Sequence, residues 1–370
     1  MEYHNSIYIL LIALSVFFAA QTAKDAVKRD KPVWKTSPFY MLLLTFSFIV
    51  GTRYFVGEDY GSYMDIIING DTHHYYDNIE FMNRFLVDLT NNLGLEFYWW
   101  FIIMAFVQIF FIAIAVKDNY RKIFPWILFC FFLLYISFYM NGVRQGAALS
   151  CFICAATFIK ERKLYHYLAF VFIGSLFHSS ILFWAPMYWV VNKNLFDNIK
   201  LQYIIFFVSI LILPHIINNV INISKSIWWL VGYEDKAETF SIDGEVIEIG
   251  SGLGLIFRYL RWIIIIAYYN KMKELIGKEN FTHTYNLFFI GIVLDCATYQ
   301  TIILNRLVMY GAIFEIFVLA SLFYYMTRTK NSLDRTIILL LLFLQTFLSF
   351  MSLFTGSLKW HTIWDRFYIG

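Results

Sequence analysis

The chain has 370 residues, of which 60% are hydrophobic, 21% aromatic and only 15% charged, with a formal net charge of +3. Such a composition is too apolar for a soluble globular protein and fits an all-α, polytopic integral membrane protein. The small positive excess points to no nucleic-acid partner.

A spanning helix needs about 20 mostly apolar residues, so about eleven or twelve transmembrane helices fit with short loops. In chain order the apolar runs predict spans at Ile7–Ala23, Pro38–Gly51, Phe97–Val116, Ile123–Met140, Val143–Ile159, Leu164–Val191, Leu201–Ile223, Leu253–Asn270, His283–Tyr299, Ile303–Met326 and Arg335–Phe354. The first run lacks a preceding basic residue and a small-residue cleavage site, so it reads as a retained helix. Cys151 and Cys154 form a C-x-x-C inside an apolar run with no second pair nearby, which reads as core packing. No linker divides the chain, which reads as one transmembrane domain over 1–370.

Basic residues cluster in alternate connections, at Lys24–Lys35, Lys117–Lys122, Lys160–Lys163, Lys193–Lys200, Lys271–Lys278 and Arg328–Arg335. Placing these in the cytoplasm puts the N-terminus outside. The connections at 52–96 and 224–250 then lie outside, and both are acidic. Leu164–Val191 has basic turns at both ends, which a single crossing cannot place on one side. Two short crossings with a tip near Gly174–Ser180 restore the alternation; such broken segments are tolerated where protein covers the tip or a wet cavity meets it. This puts His178 near the outer tip.

Several polar groups then fall on the outer side. Arg53 ends the second span and is followed by Gly57-Glu58-Asp59-Tyr60, with Tyr63 beyond. Arg144 and Gln145 start the fifth span. Arg258 and Arg261 open the span near Leu253, Arg306 sits one turn from Tyr310, and Asp295 lies at a similar level. Outer arginines run against the positive-inside bias. A guanidinium stays charged and offers a planar fork of donors matched to phosphate oxygens. An outer-leaflet pyrophosphate explains several of them at once, whereas snorkelling or pairing with a carboxylate explains each separately. His178 is either a packing residue satisfied by Ser179 and Ser180, or a group for proton transfer or phosphate contact. Asp59 is either a solvated loop carboxylate or a general base for a sugar hydroxyl. His73-His74 lacks a metal-ligand set and reads as surface.

Taken together, Arg53…Gly57-Glu58-Asp59-Tyr60…Tyr63, Val143-Arg144-Gln145-Gly146-Ala147-Ala148, the Lys-Glu-Arg-Lys turn, Phe177-His178-Ser179-Ser180 with Pro186, and Asn305-Arg306…Tyr310 resemble the EpsG-like family of Wzy-like bacterial exopolysaccharide polymerases. The C-terminal Trp360–Gly370 departs from the family's Pro-Tyr ending. The resemblance implies polymerisation of polyprenyl-pyrophosphate-linked oligosaccharide repeat units into an exopolysaccharide, capsule or O-antigen chain, at the outer face of the bacterial cytoplasmic (inner) membrane. Donor and acceptor are both lipid-linked glycans, in contact with membrane lipids, and chain-length regulator and flippase proteins are the expected partners. On that reading Arg144 and Arg306 hold the leaving pyrophosphate. Arg53 holds the same group or the second lipid's, with Gln145, Tyr60 and Tyr310 as further substrate contacts. The base is His178 or Asp59, in that order, with no metal or cofactor expected. Readings from other classes are a transporter or flippase of a lipid-linked glycan, a glycan ligase and a sugar O-acyltransferase.

Overall fold

The computed structural model describes residues 4–191, 194–230, 252–298, 302–354 and 358–362. The fold is all-α, that of a polytopic membrane protein. Among the described residues the sole β interaction is a bridge between Arg53 and Thr362. The helices are α1 (Ser6–Lys28), α2 (Ser37–Gly51), α3 (Tyr60–Asn69), α4 (Phe81–Asn92), α5 (Tyr98–Ala115), α6 (Phe124–Leu134), α7 (Ile136–Asn141), α8 (Val143–Lys160) and α9 (Leu164–Ser175). There follow α10 (Met187–Val190), α11 (Ile199–Leu230), α12 (Leu253–Ala267), α13 (Tyr269–Ile276), α14 (Lys278–Thr298), α15 (Ile302–Ala312), α16 (Glu315–Arg328) and α17 (Ser332–Leu353).

Among the described residues four helices are long and apolar enough to cross a membrane: α1, α5, the Ile199–Ile216 part of α11, and α17. The bent pair Leu304–Ala312 and Glu315–Arg328 brings the number to five, and Ser37–Gly51 and Leu164–Ser175 are shorter apolar helices. Their outward faces carry large apolar side chains at helical spacing. Tyr40, Leu44 and Phe48 on α2 are exposed, as are Leu340, Phe343, Phe347 and Met351 on α17. Stripes of this kind are unfavourable in water and suited to lipid.

The expected break in Leu164–Val191 is present. The α9 helix ends at Ser175, and a 3-10 turn follows at Ser179–Trp184. Two other expected spans are interrupted as well. Ile123–Met140 becomes α6 and α7, and Ile303–Met326 becomes α15 and α16. The connection expected at 224–250 is helical as far as Leu230, and 231–250 lies outside the described residues.

The chain divides into two compact units, one formed by Met1–Tyr188 with Leu319–Gly370 and the other by Trp189–Val318. In the first, α8 is central and packs against α5 and α9. Its small residues, from Gly146 to Ala156, are buried on every face, so neighbouring helices come close. Cys151 and Cys154 lie in this core, and all four cysteines of the chain are buried and unbridged. In the second unit α14 packs against α11 and α15. A Cβ at Gly291 would stand 2.3 Å from the Ala312 nitrogen, so only glycine permits this backbone contact.

Candidate functional site

The connection after α2 turns back into the first unit. Tyr54 donates its backbone N–H to the His361 carbonyl at 2.9 Å, and Arg53 bridges Thr362. The Arg53 side chain points inward and is 1% exposed. Its Nη1 donates to the Val50 carbonyl at 2.7 Å and its Nη2 to the Met140 carbonyl at 2.8 Å. The guanidinium lies 4.8 Å from the Phe101 ring and 5.6 Å from the Tyr60 ring, close enough for cation–π attraction. Tyr60 stacks on Phe101 and donates its hydroxyl to the Arg53 carbonyl at 2.9 Å. Gly57 then takes φ +101°, where a Cβ would also crowd Asn141 Oδ1 at 3.2 Å. That turn lets the Asp59 backbone N–H donate to Asn141 Oδ1 at 2.9 Å. Asp59 is the N-cap of α3, but its side chain makes no capping bond.

Asn141 belongs to the break between α7 and α8. A helix break in an apolar interior frees carbonyls that need donors. Two side chains from elsewhere supply them. Gln108, the lone amide in the apolar α5, donates from Nε2 to the freed Tyr139 carbonyl at 3.3 Å, and reaches the carbonyl of Val143, the first residue of α8, at 3.0 Å. Arg53 serves Met140. The α8 helix starts at Val143, so Arg144 and Gln145 fall in its first turn, which carries no acid. A helix N-terminus of this kind favours anions. Gln145 is 4% exposed.

The Arg144 side chain is 25% exposed, and its Nη1 donates to Glu80 Oε2 at 2.5 Å. The guanidinium lies 5.8 Å from the Tyr63 ring, which itself stacks on Trp100. Its Nε is buried with no hydrogen-bond partner among the described residues. Glu80 immediately precedes α4, and the first turn of α4 docks on the end of α9. Met82 donates its N–H to the Leu176 carbonyl at 3.0 Å, and Asn83 Nδ2 donates to the Phe177 carbonyl at 2.8 Å. The next residue is His178. The Ser180 backbone N–H donates to its Nδ1 at 3.3 Å, and Ser180 Oγ lies 2.7 Å from the same nitrogen. A neutral ring that accepts at Nδ1 carries its proton on Nε2.

Within the first unit the structure therefore links Arg53, Asp59, Tyr60, Arg144 and Gln145 through the 140–145 segment, and reaches His178 through Glu80 and Asn83. Arg306 and Tyr310 belong to the second unit, on α15, where Arg306 is exposed and Tyr310 fully buried. Arg258 and Arg261 are paired with acids. Arg258 Nη1 lies 3.0 Å from Asp295 Oδ2. Arg261 Nε meets Glu315 Oε1 at 2.6 Å, and Trp262 Nε1 donates to the same oxygen. His73 lies 3.0 Å from Asp65 and stacks on His74. Among the described residues no group of three or more His, Cys, Asp or Glu is placed to hold a metal ion.

Sequence reasoning missed Glu80, Asn83, Gln108 and the segment 358–362. Gln108 carried a legible signal, as a single amide in an apolar run. Glu80 was one acid among many in an acidic connection, and nothing in its spacing tied it to Arg144.

A family model described as the EpsG family matches residues 37–366. No curated protein and no solved structure matches the chain.

Proposed function

The chain belongs to the EpsG family, and from that premise we propose that it polymerises polyprenyl-pyrophosphate-linked oligosaccharide repeat units at the outer face of the bacterial cytoplasmic membrane. Membership supports a polysaccharide-polymerase type of role in general. The substrate, the outer orientation and the residue roles are the proposal's own. In the reaction a hydroxyl of the acceptor glycan attacks the anomeric carbon of the donor. The new glycosidic bond forms as the bond to the lipid pyrophosphate breaks. The hydroxyl proton goes to a base, and the leaving pyrophosphate keeps the bonding electron pair.

The observation that carries this reading is the placement of Arg144. It stands in the acid-free first turn of α8, its side chain 25% exposed, with Nη1 donating to Glu80 and the guanidinium 5.8 Å from the Tyr63 ring. A guanidinium held by one carboxylate at a helix N-terminus, and still partly exposed, can turn its donors to the charge that grows on a leaving group. Arg53 is enclosed by carbonyls and rings, so it takes the role of holding the Asp59 loop against α8 and adding its charge from behind. Tyr60 and Gln145, both buried, support the same surface. Arg306, being exposed, is assigned to the pyrophosphate of a lipid-linked substrate, with Tyr310 buried one turn further along α15.

Of the two base candidates, we assign a phosphate contact to His178 and the proton to Asp59. A neutral His178 with its proton on Nε2 is a hydrogen-bond donor on that side, suited to a phosphate oxygen of the leaving group. Asp59 keeps its side chain out of helix capping and becomes the base.

The test is glycan chain length in a strain lacking the protein, complemented with Arg144→Ala. Loss of long chains with single repeat units retained is expected, by a factor on the order of a thousand in rate. Full-length polymer from that variant would end the assignment. Transport of a lipid-linked glycan into proteoliposomes without any synthesis would point to a transporter, and normal chain length with lost substituents to an O-acyltransferase.

A further inference from the structure

We infer that Glu80 and Asn83 are positioning residues that set the distance between Arg144 and His178 through the first turn of α4. The inference rests on the reading of Arg144 and His178 as the groups that face the leaving pyrophosphate, and it explains how two residues on different helices are held for one task.

The two residues are three apart, so they lie on one face of the helix start. Glu80 is the N-cap of α4, yet its side chain makes no capping bond. Its carboxylate is given to Arg144 Nη1 instead. Asn83 Nδ2 donates to the Phe177 carbonyl at 2.8 Å and approaches Glu80 Oε2 at 3.4 Å. One bracket thus holds the guanidinium at one end and the residue before His178 at the other. The Met82 N–H bond to the Leu176 carbonyl closes it from the backbone side. Here one free N–H of a helix start meets a carbonyl at a helix end, and the Asn83 side chain serves the next carbonyl.

The orientation of the Asn83 amide is fixed by its partners. A flipped amide would turn its oxygen toward a carbonyl and a carboxylate. Asn83 is fully buried, and its Oδ1 has no hydrogen-bond partner among the described residues. An apolar residue would fill such a pocket without an unpaired acceptor. What asparagine adds is the donor that fixes Phe177, and hence His178.

The experiment measures kcat and KM for a lipid-linked repeat unit with the full chain in nanodiscs, per molecule of monodisperse protein. Asn83→Asp removes the donor at nearly constant size and is expected to lower kcat on the order of a hundredfold, as small misplacements of reacting groups do, with KM little changed. Glu80→Gln keeps one acceptor for Arg144 and is expected to lose about tenfold. Asn83→Ser restores a short donor and is expected to recover part of the loss. A serine variant no better than the aspartate variant overturns the inference. The decisive readout is coupling. Asn83→Asp in a His178→Gln background, and Glu80→Gln in an Arg144→Lys background, are expected to add no further loss. Losses that multiply independently overturn the inference while leaving the function standing. Wild-type rates from His178→Gln and Arg144→Lys alone would overturn the function and this inference together.

Discussion

Arg53 in the first unit and Arg261 in the second are both almost wholly buried, and they are held in different ways. Arg261 is 7% exposed and lies against Glu315, which also takes the indole N–H of Trp262. Its charge is cancelled at contact distance, as a fixed strut of the scaffold. Arg53 has backbone carbonyls and ring faces around it and pairs with no carboxylate among the described residues. Carbonyl dipoles solvate a cation without neutralising it, so its field persists. It acts on Met140, four residues before Arg144, and adds to the positive end of α8. The same side-chain type thus serves as a neutral brace in one unit and as a charge reserve in the other.

Mutation separates the two cases. Glu315→Ala strands a buried guanidinium and an indole N–H, and is expected to destabilise the protein by about 3–5 kcal/mol. Thermal unfolding in nanodiscs measures this. The double change Arg261→Met with Glu315→Met removes both charges and is expected to recover most of that loss. If it does not, the pair is more than a strut. Arg53→Met leaves the Val50 and Met140 carbonyls short of donors, at about 2–3 kcal/mol by the same measurement. No second substitution of a carboxylate is expected to rescue it, which is where the comparison would break.

The smallest expected effect concerns pH. Asp197 lies in the connection before α11. Its hydrogen bonds from Lys273, and then from Tyr269, hold its carboxyl below the ordinary value, against a weaker opposing effect of burial. The folded state therefore favours the ionised form. That contribution is complete above the ordinary carboxylate range and is lost as pH falls through the lowered value. Asp197→Asn is expected to flatten the acid side of the stability profile modestly, because the side chain is 39% exposed. An unchanged profile would remove Asp197 from the account.

Apolar runs and basic turns made the all-α membrane fold legible, because span length and charge bias are averages over many residues. The break beside His178 was legible for the same reason, from basic turns at both its ends. Arg144 and Asp59 stood out as polar groups in unusual company. What they touch was not legible. The Glu80–Arg144 pair joins residues 64 apart, and the Gln108 bonds to Tyr139 and Val143 depend on a helix break that composition does not mark. Arg53 looked like an outward ligand group because it ends an apolar span on the outer side, where one pyrophosphate would explain several arginines at once. The connection folds back on itself, and this turned the side chain inward.

The segment 358–362 has a consequence for biogenesis. The Trp360 carbonyl accepts from His4 N–H, its own N–H goes to Asn5, and Leu358 receives the Tyr8 hydroxyl. From there the segment reaches Arg53 and Tyr54. These residues leave the ribosome after every described helix, so the Arg53 turn waits, half assembled, until synthesis has passed them. Docking of this short strap therefore closes the Arg53 turn only once residues 4–8 and 358–362 have both been made.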